Sequence, residues 1–207
     1  MPIVKQHHPQ TVNTDERQSP RDFAGLIAEL ENTNPTARRW AARDLAEYSE
    51  SAGTLVERLK RENDPSVRDA ILATLTRLGD PAAVAGLVEC LRSEDTALRN
   101  EVIEAMKQLP EEVAPIMGDL LVDVDPDVRI FAVNILESLR HPQVEAWLIS
   151  IIEKDPHVNV CAAALDLLGE VGTSASRSAL EQLKVRFSDE PYICFAANLA
   201  LKRIDEN

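Results

Sequence analysis

A short motif returns along this chain at intervals of 30, 31, 30, 30 and 35 residues, and no other feature of the sequence constrains its fold so tightly. An acidic or amide residue, usually followed by proline, precedes a small or branched apolar residue and then arginine. The copies are Asn34-Pro35-Thr36-Ala37-Arg38, Asp64-Pro65-Ser66-Val67-Arg68, Asp95-Thr96-Ala97-Leu98-Arg99, Asp125-Pro126-Asp127-Val128-Arg129 and Asp155-Pro156-His157-Val158-Asn159. A degraded copy, Glu190-Pro191-Tyr192-Ile193-Cys194, closes the series. Self-similarity at this period is the signature of stacked repeats, in which each unit buries its apolar face only against its neighbours.

Each motif reads as a helix start. Asn34, Asp64, Asp95, Asp125 and Asp155 are placed to accept from backbone amides left free at a helix N-terminus. Proline suits the next position because its missing donor would have had no partner there. Apolar residues then recur at helical spacing, as Val67, Ala70, Ile71, Leu75 and Leu78, and as Val128, Phe131, Ala132, Leu136 and Leu139. Preceding helices are expected after Asp80-Pro81, Pro110 and His141-Pro142, and Ser19-Pro20-Arg21-Asp22 reads as the first start, with Ser19 as cap. Six helix pairs result. Residues 1–18 are polar and aperiodic and read as a flexible N-terminal lead, with 19–207 as the repeat solenoid. The fifth pair is irregular in length, and a change of curvature is expected there.

Charge narrows the function. The net charge of −13 opposes binding to nucleic acid or acidic membranes. The acidic excess is strongest over residues 63–124, where five basic side chains stand against twelve acidic ones. No apolar run is long enough to cross a bilayer and no secretory leader is evident, so a cytoplasmic protein is expected. Cys90, Cys161 and Cys194 are too scattered for a disulfide framework or a zinc site and read as free thiols.

The segment Leu78-Gly79-Asp80-Pro81-Ala82-Ala83-Val84, with Leu87, Leu91 and the Asp-Pro-x-Val-Arg copies, resembles the HEAT-like repeats of the phycobilin-lyase type. The resemblance implies an all-α fold, a right-handed alpha-alpha superhelix of about six HEAT-like helix pairs. It also implies a ladder along one edge, with Arg38, Arg68, Arg99 and Arg129 paired to Asp64, Asp95, Asp125 and Asp155 of the following repeat and broken at Asn159 and Cys194. That family includes pigment–protein lyase subunits, a metal hydroxylase, a DNA glycosylase branch and many adaptors.

The enzymatic branches lack their residues here. The hydroxylase carries His-Glu pairs as iron ligands, whereas none of His7, His8, His141 and His157 precedes a glutamate. A DNA groove would need clustered basic and aromatic residues, and only Arg38, Arg39, Trp40 and Arg43 come close; Trp40 is read as core, with both flanking arginines solvated or acid-paired. No nucleophile motif or glycine-rich phosphate loop is present. No catalytic residue, metal or cofactor is therefore assigned.

The remaining candidate is a surface. In such solenoids second helices line the concave side, and the position after the ladder arginine gives Arg39, Asp69, Asn100, Ile130, Val160 and Phe195. Three residues on lie Ala42, Leu72, Ile103, Val133, Ala163 and Asn198. Two readings stand side by side: an apolar strip over the C-terminal half that docks a partner, or inter-repeat packing. With Arg39, Arg43, Asp69, Leu72, Asn100, Ile103, Ile130, Val133, Val160 and Phe195 as candidate contacts, the expected function is a non-catalytic protein-binding adaptor, either monomeric or weakly self-associating. The resemblance offers the alternative of an accessory subunit or chaperone in bilin attachment.

Overall fold

The computed structural model of the chain describes residues 21–206, and among these every regular element is helical. Six pairs follow one another. They are α1 (Phe23–Glu29) with α2 (Pro35–Asp44), α3 (Ala52–Leu59) with α4 (Pro65–Leu78), and α5 (Pro81–Cys90) with α6 (Thr96–Met106). In the fourth pair α7 (Pro110–Val113) and α8 (Met117–Leu120) together precede α9 (Pro126–Leu136). The last two pairs are α10 (Val144–Lys154) with α11 (Val158–Val171), and α12 (Arg177–Arg186) with α13 (Pro191–Glu206). Asp22, not Ser19, caps the first described helix, accepting from the Gly25 amide at 2.8 Å. The Ser19-Pro20 start and the lead 1–18 lie outside the described residues.

Second helices pack in succession, α2 on α4, α4 on α6, α6 on α9, α9 on α11 and α11 on α13. First helices form the other layer, with α3 against α5 and α10 against α12. The core runs between the layers, and Leu45, Leu55, Ile71, Leu75, Leu87 and Leu91 in its N-terminal half are fully buried. Each such side chain contributes about 1.5–3 kcal/mol through burial, so the stack is held by many similar aliphatic contacts. The expected stripes are buried except for Leu78 and Phe131, which are half-buried.

Local chemistry sets the helix ends. Gly79 ends α4 with φ of 57°, and its amide donates to the Leu75 carbonyl at 2.9 Å. Inside the first helix of the fourth pair, Pro115 follows α7 and the backbone tightens to a 3-10 turn over Ala114–Ile116. The single helix expected after Pro110 is thereby split. At Gly86 a Cβ would sit 2.2 Å from Val56 Cγ2, so α3 and α5 approach more closely than any side chain at that position would allow.

Candidate functional site

The repeated turn is built around a residue that the motif does not include. Two positions before each cap stand Asn32, Glu62, Ser93, Asp123 and Asp155. Their side chains accept from the amides of Asn34, Asp64, Asp95, Asp125 and His157 at 2.9, 2.9, 3.2, 2.9 and 2.8 Å. The carbonyls of the same residues are clamped from within the repeat. Arg38, Arg68, Arg99 and Arg129 donate to the carbonyls of Asn32, Glu62, Ser93 and Asp123 at 2.9, 2.7, 2.6 and 2.7 Å. The motif arginine is thus first a clamp on its own turn.

Pairing between repeats is less regular than a ladder. Arg68 reaches Asp95 at 2.5 Å and Arg129 grips Asp155 through two bonds of 2.6 and 3.0 Å, as expected. Arg38 pairs with Glu62 instead of Asp64, through two bonds of 2.8 Å. Arg99 does not reach Asp125; it bonds Ser93 and Thr96 and lies over the Phe131 ring at 5.6 Å. Arg92 supplies the link that Arg99 does not make, through an ion pair to Asp123. Glu62 is the hub of the N-terminal half, also held by Arg58 at 2.6 Å and by two backbone amides. Burial alone would raise its pKa, but Arg38, the Asp64 amide and Arg58 outweigh burial and hold it at about 2.

The fifth repeat follows a different register from its sequence motif. His157, not Asp155, is the residue before α11, with φ −92° and ψ 117°, close to Asp125 at −84° and 116°. Asp155 is the acceptor two positions earlier, and Cys161 takes the place of the clamp arginine, its thiol 3.3 Å from the Asp155 carbonyl. The break assigned to Asn159 therefore belongs to Cys161. Arg186 from α12 enters beside that thiol at 3.1 Å and donates to the Glu153 carbonyl at 2.7 Å. The extra length is shared between the last two repeats.

This register corrects the proposed contact column. Val160 corresponds to Val128, both fully buried, and cannot meet a partner. Leu72, Ile103 and Val133 are also buried, because the adjoining second helix covers them. The continuous apolar strip is therefore inter-repeat packing. Asp69, Asn100, Arg43 and Phe195 are exposed, and Arg39 and Ile130 are half-buried.

Between the middle second helices, carboxylates rim what remains open. A groove of about 430 Å³ between α4 and α6 is lined by Asp69, Asn100, Glu101 and Glu104, with Leu72 at its floor. A second, of about 270 Å³, lies between α9 and α11 and is lined by Asn134, Glu137, Asp166 and Glu170. Burial pushes the Glu101 carboxyl up from its ordinary value; Arg68 opposes the shift, while Asp69 and Asp95 add to it. Lys107 lies among these acids, bridging Glu104 and Glu137 at 3.0 Å each. At the α2 end Trp40 is half-buried rather than core, with the Arg43 guanidinium 5.3 Å from its ring centre. Burial pushes the Cys90 thiol up to about 11 and raises that of Cys161, which leaves both poor nucleophiles. Among the described residues no helix is long and apolar enough to cross a membrane.

HEAT repeats match by sequence over residues 23–107, 53–123 and 114–202. No curated protein sequence matches. Among solved structures, an archaeal HEAT-like repeat protein from Thermococcus onnurineus NA1 is 18% identical, with 87% of this chain and 86% of that chain covered and a TM-score of 0.48. Human deoxyhypusine hydroxylase is 16% identical over 89% of this chain and 84% of its own, with a TM-score of 0.44. The CpcE–CpcF complex of phycocyanin lyase from Nostoc sp. PCC7120 is 17% identical over 99% of both, with a TM-score of 0.37. The repeated turn, the two helical layers and the span of the sequence match together place this chain in the HEAT-repeat family.

Proposed function

We propose that the chain is a non-catalytic protein-interaction scaffold whose second-helix face takes a cationic segment of another protein. The observation that carries this reading is the pair of open grooves between second helices, both walled by carboxylates. Burial first, and then Asp69 and Asp95, push the Glu101 carboxyl up, and a lysine or arginine entering beside it supplies a counter-charge. Over α2 the same track meets Arg39 and Arg43, so a matching segment is basic along its length and acidic at one end. Interfaces of this kind draw association rate and selectivity from charge complementarity. HEAT repeats generally serve as surfaces for other proteins, which agrees with the reading at fold level. The likeness to the lyase complex is too distant to carry an argument for bilin handling.

Random peptides displayed on phage and selected on the full chain test the proposal. Selected sequences are expected to be rich in lysine and arginine, to bind more weakly as salt rises, and to lose binding to an Asp69→Lys, Glu104→Lys variant of unchanged melting temperature. Selection without basic enrichment, or undiminished binding to that variant, overturns it.

A further inference from the structure

The last described helix, α13, carries an apolar stripe. Tyr192, Phe195 and Leu199 of α13 are 52%, 67% and 41% exposed, and they fall at i, i+3 and i+7 on one helical face. At the neighbouring position Asn198 is exposed, whereas Ala42, Leu72, Ile103 and Val133 at the same place in earlier repeats are buried by the next second helix. The outer face of α13 is thus polar only in part. Its Tyr192 ring is held in place by the phenol, which donates to Asp166 at 2.6 Å.

The flank before the stripe is acidic, whereas at the other end Lys202 and Arg203 are balanced by Asp205 and Glu206. Asp189 and Glu190 precede the helix and form no ion pair among the described residues, while Lys202, with its side chain 71% exposed, stands near the other end and reaches only Glu206 at 3.7 Å. We propose that α13 is a self-association surface and that a second copy of this chain covers it, the two helices packing antiparallel about a two-fold axis that passes between Phe195 and Leu199. In that arrangement Phe195 of each copy meets Leu199 of the other, and Tyr192 meets Lys202 across its ring. Glu190 comes within side-chain reach of the second copy's Lys202. A Glu190–Lys202 pair at each end favours the antiparallel copy over a parallel one, and the two-fold closes the assembly at a dimer. This surface is separate from the grooves, since it concerns α13 and a different partner.

Sedimentation velocity of the full chain at physiological salt, from micromolar to several hundred micromolar, tests it. Wild type is expected to shift from monomer to dimer over that range, and Phe195→Glu with Leu199→Glu to remain monomeric with an unchanged far-UV circular dichroism spectrum. Phe195→Ser, a milder change, is expected to weaken the dimer by about tenfold or more. Glu190→Lys and Lys202→Glu are each expected to weaken association by roughly two- to tenfold, and the two together to restore it. A wild type that stays monomeric throughout, or a dimer that survives the Phe195 and Leu199 changes, overturns the surface. Failure of the double charge exchange to restore association overturns the antiparallel arrangement.

Discussion

Arginine at the same motif position does different work in successive repeats, and the partner decides how much. Arg129 is the main neutralising partner of Asp155, which is only 8% exposed, so Arg129→Ala strands a buried carboxylate and is expected to cost about 3–5 kcal/mol in chemical denaturation. Arg99 makes no ion pair to the next repeat, and Arg99→Ala is expected to cost about 1–2 kcal/mol. Arg92 bridges to Asp123; the exposed Arg140 serves as the neutral control, and Arg140→Ala should lie within about 0.5 kcal/mol of wild type. Equal midpoints for the Arg129 and Arg140 variants would contradict this ordering. Glu62 adds a pH signature. Its folded value of about 2 lies below the ordinary 4.5, so its contribution is complete above pH 4.5 and is lost as pH falls towards 2. That loss is on the order of 3 kcal/mol. Urea midpoints measured across this window should fall more steeply for wild type than for Glu62→Gln, and parallel curves would remove Glu62 from its place as hub.

At the scale of the element, close approach is written into single residues. Gly86→Ala drives a methyl into Val56 and should destabilise by about 1–3 kcal/mol. The double change Gly86→Ala, Val56→Ala should cost less than the sum of the two single changes, and strict additivity would show that α3 and α5 do not meet there. Element positions were legible in the sequence because each second helix begins with a cap, often Pro, and a stripe of period 3.6, which are local signals. The register of α11 was not. Asp155-Pro156 imitates a cap, but the chain is anchored two residues later, where Val160, Ala164 and Leu168 match the buried positions of the other repeats, and packing overrides the local motif. An acceptor two positions before the cap, as at Asn32, Glu62, Ser93 and Asp123, does not decide between the two registers, because Glu153 precedes Asp155 just as Asp155 precedes His157; the buried pattern decides. Part of the contact column is covered for a related reason. Helical spacing shows which residues share a face, but not which of them the adjoining helix covers, so Leu72, Ile103, Val133 and Val160 read as a strip although they are buried.

Over the whole molecule, contacts join each pair to its neighbours, and stability is expected to be close to a sum of pair and interface terms. Deleting residues 80–109 removes the third pair and presents the Asp125 cap to Arg68 in place of Asp95. The shortened chain should keep its helical circular dichroism and melt cooperatively, and a coil spectrum would contradict the modular stack. The architecture makes one demand of a partner, that it is read by the acidic second-helix face. Hydrogen–deuterium exchange of the full chain with a selected basic peptide tests that demand most directly. Protection is expected to concentrate in α4, α6, α9 and α11, around Asp69, Glu104, Glu137 and Asp166, with the first helices α5, α10 and α12 unchanged. Protection confined to the first helices, with the second helices exchanging as in the free chain, would contradict it.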